Sequence, residues 1–126
     1  MSMTILTVDD SRTMRDMLKV ALMDAGYRVI QAVDGVHGLE VLEQETPHVI
    51  ITDINMPKLD GFGFIESVRR NQRYLGIPIL VLTTESGEPF KASARAVGAT
   101  GWLEKPFDPD MLTELVATLS GAEHPN

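Results

Sequence analysis

The sequence predicts an α/β protein with a doubly wound, five-stranded parallel sheet and five helices. Short apolar runs alternate five times with amphipathic segments along the 126 residues, as expected where each strand is followed by a helix. The apolar runs are almost uninterrupted, which is typical of parallel strands covered by helices on both faces. We expect right-handed crossovers and the strand order 2-1-3-4-5, because that order brings the carboxyl ends of strands one, three, four and five around one crevice.

The first half of the chain contains three strand-helix units. A strand at residues 5–8 precedes a helix over residues 11–25, whose apolar residues recur at spacings of three and four and which Gly26 closes in a left-handed conformation. A short strand at 28–32 precedes a second helix that ends before Pro47. The third strand covers 49–52, and apolar residues at 64, 65 and 68 mark the third helix.

The second half repeats this pattern. We predict a strand at 78–82, a helix at 89–97 with Gly98 behind it, and a strand at 100–104. Asp108 suits the N-cap of the last helix, and Pro109 suits its first position. Residues 122–126 are expected to form a frayed tail, and we expect residues 1–126 to be a single domain.

Composition and charge exclude several classes of protein. The formal net charge of −7 argues against a nucleic-acid or anionic-membrane binder, because either needs clustered Lys and Arg. The chain has no cysteine, which excludes disulfides, thiol nucleophiles and thiolate metal sites. Charged residues from Asp9 onward interrupt the first apolar run, so no signal-peptide or membrane-span pattern is present there. We therefore expect a soluble cytoplasmic protein.

Five polar residues stand where the predicted strands end: Asp9 and Asp10 after the first, Asp53 after the third, Thr83 after the fourth and Lys105 after the fifth. Since the carboxyl ends of parallel strands share one edge of a sheet, all five would meet in one shallow pocket. Two carboxylates about 4 Å apart repel by about 4 kcal/mol at an effective dielectric near 20, so three need a counter-charge. Mg²⁺ prefers carboxylates, water and a phosphate oxygen. The sequence therefore predicts phosphate chemistry at a magnesium site.

These residues carry a resemblance to a known family. Together with Asp53-Ile54-Asn55-Met56-Pro57, Asp60-Gly61 and Lys105-Pro106-Phe107, they resemble the receiver domain of two-component response regulators over essentially the whole chain. The likeness is nearest to single-domain chemotaxis regulators of the CheY type, whose flavodoxin-like fold has the order 2-1-3-4-5. The resemblance implies a phosphorylation-controlled regulator that catalyses its own phosphorylation and dephosphorylation, and not a conventional turnover enzyme.

The resemblance also implies a role for each carboxylate. Asp53 would be the phosphoacceptor, attacking a phosphohistidine of a kinase or a small acyl phosphate. Asp10 and Asp53 would bind Mg²⁺ directly, and Asp9 would bind it through water while holding Lys105. The main-chain carbonyl of Asn55 would complete the protein ligands.

Five residues would stabilise the phosphoryl group, report its presence and control its loss. Lys105 and the Thr83 hydroxyl would stabilise charge on the transferring group. Trp102 stands where the family usually has a switch Tyr or Phe, whose ring moves inward when Thr83 is drawn to the phosphoryl group, and the larger indole departs from that pattern. Asn55 and Glu85 occupy positions that resemble those which tune attack of water on the aspartyl phosphate.

The implied partners are proteins. A sensor histidine kinase of the CheA type would dock over the first helix, and the face made by helix four, strand five and helix five would bind a downstream target such as a flagellar motor switch protein. The alternative output is that of a phosphate sink. We expect a monomer with no nucleic-acid partner and no membrane insertion.

Alternatives from other classes fit less well. A Mg²⁺-dependent phosphohydrolase with an aspartate nucleophile, resembling the haloacid dehalogenase superfamily, would want Asp-x-Asp after strand one and a cap domain. A flavodoxin-like nucleotide binder would want a glycine- or hydroxyl-rich phosphate loop there. A receiver that is never phosphorylated is disfavoured by the intact Asp53, Thr83 and Lys105.

Each residue also has an ordinary structural explanation when it is taken alone. Asp10 and Ser11 both suit the cap of the first helix, and it is the combination of residues that predicts a site. His37 and His48 fall away from the carboxylate edge and are interpreted as surface residues. The seven methionines are expected to pack in the core.

Overall fold

The computed structural model describes residues 3–121 and contains the predicted alternation of strands and helices. The strands are β1 (Thr4–Val8), β2 (Arg28–Ala32), β3 (Val49–Thr52), β4 (Ile79–Thr83) and β5 (Gly101–Glu104). The helices are α1 (Arg12–Asp24), α2 (Gly35–Gln44), α3 (Gly61–Arg69), α4 (Glu88–Val97) and α5 (Pro109–Ser120), and a short 3-10 turn (Gln72–Tyr74) lies between α3 and β4. The 3-10 turn was not predicted, and the predicted tail at 122–126 lies outside the described residues.

All four strand pairs are parallel, and the strand order is β2-β1-β3-β4-β5. The predicted topology is therefore confirmed. It places β1, β3 and β4 in the middle of the sheet, where every residue of the three strands is buried. Their carboxyl ends, with that of β5, point to the same edge. None of the helices between residues 3 and 121 is long and apolar enough to span a membrane.

The sheet divides the core into two layers. One layer packs α2, α3 and α4 against residues such as Leu6, Ile50 and Val81, and the other packs α1 and α5 against residues such as Ile5 and Ile51. Neighbouring strand residues belong to opposite layers because side chains alternate across a strand. Both faces of the sheet are thus apolar, which explains the uninterrupted apolar runs in the sequence.

The helix ends follow the local sequence signals. The side chains of Asp34, Asp60 and Asp108 each accept a hydrogen bond from a main-chain amide at the start of the following helix. Gly26 follows α1 with φ of +94°, so its predicted left-handed conformation is confirmed. Gly98 follows α4, as predicted, and is also left-handed, with φ of +111°. Predicted and observed boundaries differ by a residue or so at several ends.

The expectation for the methionines needs correction. Met56 is buried, but Met17, Met23 and Met111 are half exposed. Each of these three directly neighbours a buried leucine in the sequence, and one residue turns a helix by about 100°. Their side chains therefore project past the core, and helical spacing alone did not separate the buried stripe from its flank.

The close packing of α2 on α3 can be tested at Gly38. A Cβ atom at this position would lie 2.7 Å from Cε1 of the fully buried Phe64. Alanine is favoured over glycine inside a helix by about 1 kcal/mol, but overpacking a tight core costs about 1–3 kcal/mol. We expect Gly38→Ala to lower the free energy of unfolding by about 1 kcal/mol in urea titrations.

Gly76→Ala is the matched control, since a Cβ atom there would meet nothing within 4 Å. Its unfolding free energy should stay within about 0.5 kcal/mol of the parent protein. A Gly38→Ala variant more stable than the parent would show that the α2–α3 contact relaxes freely.

Candidate functional site

The sheet itself places three of the predicted site residues. The amides of Asp9, Asp53 and Lys105 each donate to the last carbonyl of a neighbouring strand, β2, β1 and β4 respectively, at 3.1, 2.9 and 2.8 Å. The hydrogen-bonding pattern of the sheet thus continues one residue beyond these strands. The predicted convergence at the carboxyl edge follows from this continuation.

Three carboxylates meet at this edge. Asp9, Asp10 and Asp53 each present a carboxylate oxygen, and these oxygens lie within 4.8 Å of one another. Asp9 and Asp53 are buried, and Asp10 is exposed. Lys105 extends its ammonium into the same cluster, with Nζ 3.1 Å from Asp53 Oδ1 and 3.5 Å from Asp9 Oδ2. The Lys105–Pro106 peptide bond is cis.

Main-chain amides hold the two buried carboxylates. Asp9 Oδ1 accepts from the Ser11 amide at 2.9 Å, and Asp53 Oδ1 accepts from the Ile54 amide at 2.8 Å. Asp9 Oδ2 is buried without a hydrogen-bond donor, and its 3.5 Å ion pair with Lys105 is longer than a normal hydrogen bond. Buried carboxylate oxygens nearly always have partners, so this oxygen marks a place for a cation or a water molecule.

Ser11, and not Asp10, caps α1. Its Oγ accepts from the Met14 amide at 3.2 Å. Between residues 3 and 121, the Asp10 carboxylate makes no hydrogen bond or ion pair with the protein. Asp10 is therefore available to the pocket, and the capping explanation applies to Ser11 alone.

Burial raises the pKa of Asp9 above its ordinary value of 3.8. The Ser11 amide opposes this rise, the neighbouring Asp53 adds to it, Lys105 opposes it, and Asp10 adds to it. Desolvation and like-charge repulsion thus outweigh the stabilising contacts. Without a further cation in the pocket, the ionised form of Asp9 is less stable in the folded protein than in water.

Thr83 lies at the end of β4, next to the cluster along the same edge. It is buried, and its Oγ1 accepts from the Glu85 amide at 2.9 Å. The side chains of Glu85 and Asn55 are both exposed at this end of the sheet. The structure therefore places both predicted tuning residues beside the site and leaves them open to solvent.

Trp102 lies on β5 on the same side of the sheet as Thr83. In the β4–β5 register Trp102 pairs with Val81, two residues before Thr83, so the two side chains share a face. The indole is partly buried against the core layer of α2, α3 and α4. Lys91 Nζ and Arg95 Cζ of α4 each lie 5.2 Å from the ring centroid, a cation–π geometry.

These two cations were missed by the sequence analysis. Lys91 and Arg95 are four residues apart, so they share one face of α4, and that spacing was the available signal. The periodicity of α4 did not show which strand residue this face would cover. Trp102 is thus neither a fully exposed anchor nor a buried core residue.

The two histidines lie outside the cluster. His37 Nδ1 accepts from the Val33 amide at 3.0 Å, and His48 Nδ1 accepts from the Thr4 amide at 2.9 Å. His48 is exposed as predicted, whereas His37 is half buried beside the N-terminus of α2. Neither has a place in the site.

Comparison with known proteins agrees with this geometry. The family described as response regulator receiver domain matches residues 5–117. The chain belongs to this family. Chemotaxis protein CheY1 of Helicobacter pylori is 38% identical over 121 residues, which cover 94% of this chain and 98% of that protein. The receiver fold and the family resemblance are thereby confirmed, and the phosphohydrolase and nucleotide-binder alternatives are not favoured.

Two solved structures extend the comparison. The chemotaxis response regulator CheY4 of Vibrio cholerae has a TM-score of 0.91 at 43% identity, covering 94% of this receiver and 99% of that chain. The receiver domain of a sensor histidine kinase from Pseudomonas aeruginosa has a TM-score of 0.88 at 25% identity, and the match covers 96% of this chain and 99% of that chain. That structure holds a magnesium ion coordinated in its active site cleft.

The strained charge of Asp9 gives the receiver a testable pH dependence. Because the pKa of Asp9 is raised in the folded state, the folded protein holds this proton more tightly than the unfolded chain does. The resulting stabilisation of the fold is present below pH 3.8 and is lost as the pH rises through the folded-state pKa. We expect Asp9→Asn to stabilise the metal-free receiver near neutral pH by about 1 kcal/mol, or roughly 4 °C in Tm. The gain should vanish below the ordinary pKa of Asp9.

Thermal melts in chelator between about pH 3 and about pH 7 measure this difference. Asp10→Asn is the matched control, because it removes an exposed carboxylate from the same cluster and should raise Tm less. If the parent protein had a higher Tm than Asp9→Asn at every pH, the ionised Asp9 carboxylate would not destabilise the metal-free fold.

Proposed function

We propose that this receiver is a phosphorylation-controlled response regulator of the chemotaxis type, with Asp53 as its phosphoacceptor. The observation that carries the proposal is the position of Asp53 between two other carboxylates and the Lys105 ammonium, which lies 3.1 Å away. Membership of the receiver family and the CheY relatives support the chemotaxis assignment. Receivers of this kind are signalling regulators and not conventional enzymes.

The carboxylate cluster fits a divalent cation. Of the three carboxylates, only those of Asp9 and Asp53 pair with Lys105 within the described residues, and Asp9 Oδ2 is buried without a donor. A hard cation that prefers oxygen ligands therefore suits the pocket. Asp10 and Asp53 would bind Mg²⁺ directly, Asp9 would bind it through water, and the carbonyl of Asn55 would complete the protein ligands. The magnesium ion in the active site cleft of the Pseudomonas aeruginosa receiver supports Mg²⁺ as the cation. When bound, Mg²⁺ neutralises charge on the carboxylates and on the phosphoryl oxygens.

The chemical step is a phosphoryl transfer to Asp53. A carboxylate oxygen of Asp53 attacks the phosphorus of the phosphohistidine of a kinase, a P–O bond forms, and the P–N bond breaks with its electron pair going to the imidazole. The ionised carboxylate needs no base. Lys105, already beside Asp53, stabilises the developing charge, and the Thr83 hydroxyl is the second donor.

Loss of the phosphoryl group would be controlled by exposed residues at the carboxyl edge of the sheet. Asn55 lies two residues after the acceptor beyond β3, and Glu85 lies two residues beyond the end of the neighbouring β4. Both side chains are exposed, where water must approach. The Glu85 amide is bonded to Thr83 Oγ1, so a shift of Thr83 toward the phosphoryl group also moves Glu85. We assign to both residues the tuning of water attack.

The proposed partners follow the surface of the receiver. CheY-like receivers interact with histidine kinases and downstream targets. An apolar groove of about 410 Å³ between α1 and the start of α5, lined by Met17, Val20 and Phe107, supports docking of a CheA-like kinase over α1. A flagellar motor switch protein is the proposed target of the α4–β5–α5 face, with a phosphate-sink role as the alternative. The cytoplasmic location and the monomeric state stay predictions.

The acceptor can be tested chemically. With acetyl phosphate and Mg²⁺ we expect one acid-stable, hydroxylamine-labile phosphoryl group on the protein, carried by the tryptic peptide that contains Asp53. Asp53→Asn should reduce the label at least tenfold, because the amide is not a nucleophile. Mass spectrometry of the peptide decides. A label on His37 or His48 would contradict the assignment.

The indole of Trp102, the only tryptophan of the chain, reports the switch. On addition of beryllofluoride and Mg²⁺ we expect a blue shift of its emission and a loss of iodide quenching. The blue shift reflects burial of the ring. The loss of iodide quenching reflects movement of the ring away from Lys91 and Arg95, whose charges attract iodide. Quenching by neutral acrylamide should fall less.

Asp53→Asn is the control, since it removes the acceptor and leaves the Trp102 surroundings intact. Its spectrum should not respond to beryllofluoride. Stoichiometric phosphorylation of the parent protein with unchanged emission and unchanged quenching would show that this receiver signals without moving Trp102.

A further inference from the structure

Asp10 differs from the other two carboxylates in how it is held. Asp9 and Asp53 each accept a main-chain amide and pair with Lys105. Asp10 is exposed, and among residues 3–121 its carboxylate makes no hydrogen bond or ion pair. Its oxygen nevertheless lies within 4.8 Å of the other two carboxylates. Its direction must therefore be set through the backbone.

Both peptide groups that flank Asp10 are fixed. The carbonyl of Asp9, which belongs to the preceding peptide, accepts from Nη1 of Arg15 at 2.8 Å. The amide of Ser11, which belongs to the following peptide, donates to Asp9 Oδ1 at 2.9 Å. Because each peptide group is planar, holding one atom of each restricts the two backbone dihedrals of Asp10. These two bonds leave the Asp10 carboxylate aimed at the cluster without touching it.

Arg15 is itself held firmly. It lies in the first turn of α1, where its amide donates to the Ser11 carbonyl at 2.9 Å. Its own carbonyl accepts from Nε2 of Gln31 on β2 at 3.2 Å. The side chain is half buried as it reaches back to Asp9. A charged donor on a neutral carbonyl makes a stronger hydrogen bond than a neutral pair, so this contact can define the turn.

We propose that Arg15 is a positioning residue for the phosphoryl-transfer site, which aims the Asp10 carboxylate by holding the Asp9 carbonyl. The inference rests on the proposed function for the identity of the cation and the reaction. Replacing a residue that orients a metal ligand, without itself binding the metal, commonly lowers metal affinity about 10–100-fold. Arg15 acts in this way on Asp10.

The sign of the effect separates positioning from simple charge. A guanidinium near three carboxylates repels a divalent cation, so if Arg15 acted through charge alone, its removal would tighten Mg²⁺ binding. If it positions Asp10, its removal weakens Mg²⁺ binding. Arg12 supplies the matched control, because it carries the same charge in the same helical turn, is exposed, and its guanidinium makes no hydrogen bond within the described part of the chain.

The first measurement is the dissociation constant for Mg²⁺, obtained from the rise of Tm with Mg²⁺ concentration in the 126-residue chain. We expect Arg15→Met to weaken binding about tenfold, Arg15→Lys to restore part of the loss, and Arg12→Met to leave binding unchanged or slightly tighter. Unchanged or tighter binding in a folded Arg15→Met variant would overturn the proposal. If Arg15→Met does not fold, Arg15→Gln takes its place under the same criterion.

The second measurement needs no metal. Amide hydrogen exchange at Ser11 in the metal-free protein should become about tenfold faster in Arg15→Met and stay at the parent rate in Arg12→Met, since of these two arginines Arg15 is the one whose side chain bonds to the turn. Equal exchange in all three proteins would refute the positioning role. A parent protein that showed no response to Mg²⁺ would remove the proposed function, while the exchange comparison would still decide what Arg15 does to Asp10.

Discussion

Mutual repulsion of three carboxylates is the constraint on which the rest of this receiver depends. Asp9, Asp10 and Asp53 are brought together by a sheet, and one ammonium, that of Lys105, faces them. The sheet can hold such an arrangement because its central strands are fully buried and hydrogen-bonded on both sides. The apolar layers on the two faces thus provide the free energy that the acidic edge requires.

The site is also assembled in stages of decreasing burial. Asp9 is fully buried and fixed through both its main chain and its side chain, Asp53 is buried beside it, and Asp10 stands in solvent on a restrained turn. This gradient of burial from Asp9 to Asp10 suits a site whose geometry must stay intact while the bound group changes. The inner carboxylates hold the geometry, and the outer one is accessible to what enters from water.

The strands, the helix ends and the positions of the site residues could be predicted from the sequence, because each depends on a short stretch of residues. The uninterrupted apolar runs predicted parallel strands, and the residue directly after each run predicted the site, since strand ends converge by topology. Gly26, Gly98 and Pro109 marked helix boundaries through backbone preferences that need no tertiary information.

What was missed depends on contacts between distant parts of the chain. The bond from Arg15 to the Asp9 carbonyl requires the shape of a turn, and the approach of Lys91 and Arg95 to Trp102 requires the position of α4 on β5. The half-exposed Met17 and Met111 were misjudged because a helical period defines a face but not its width. Periodicity therefore predicts elements better than it predicts the side chains that join them.

The division of the core by the sheet has an evolutionary consequence. Strand residues on the side of Trp102 pack with α4, whereas the apolar groove beside α1 belongs to the opposite layer with α5. The proposed kinase-docking groove and the proposed α4–β5–α5 target face thus share α5, whereas α1 and α4, the helices that distinguish them, rest on opposite core layers. Substitutions in α1 therefore leave the packing beneath α4 intact, and substitutions in α4 leave the packing beneath α1 intact. A duplicated copy of such a chain can thus change its upstream and its downstream partner one at a time.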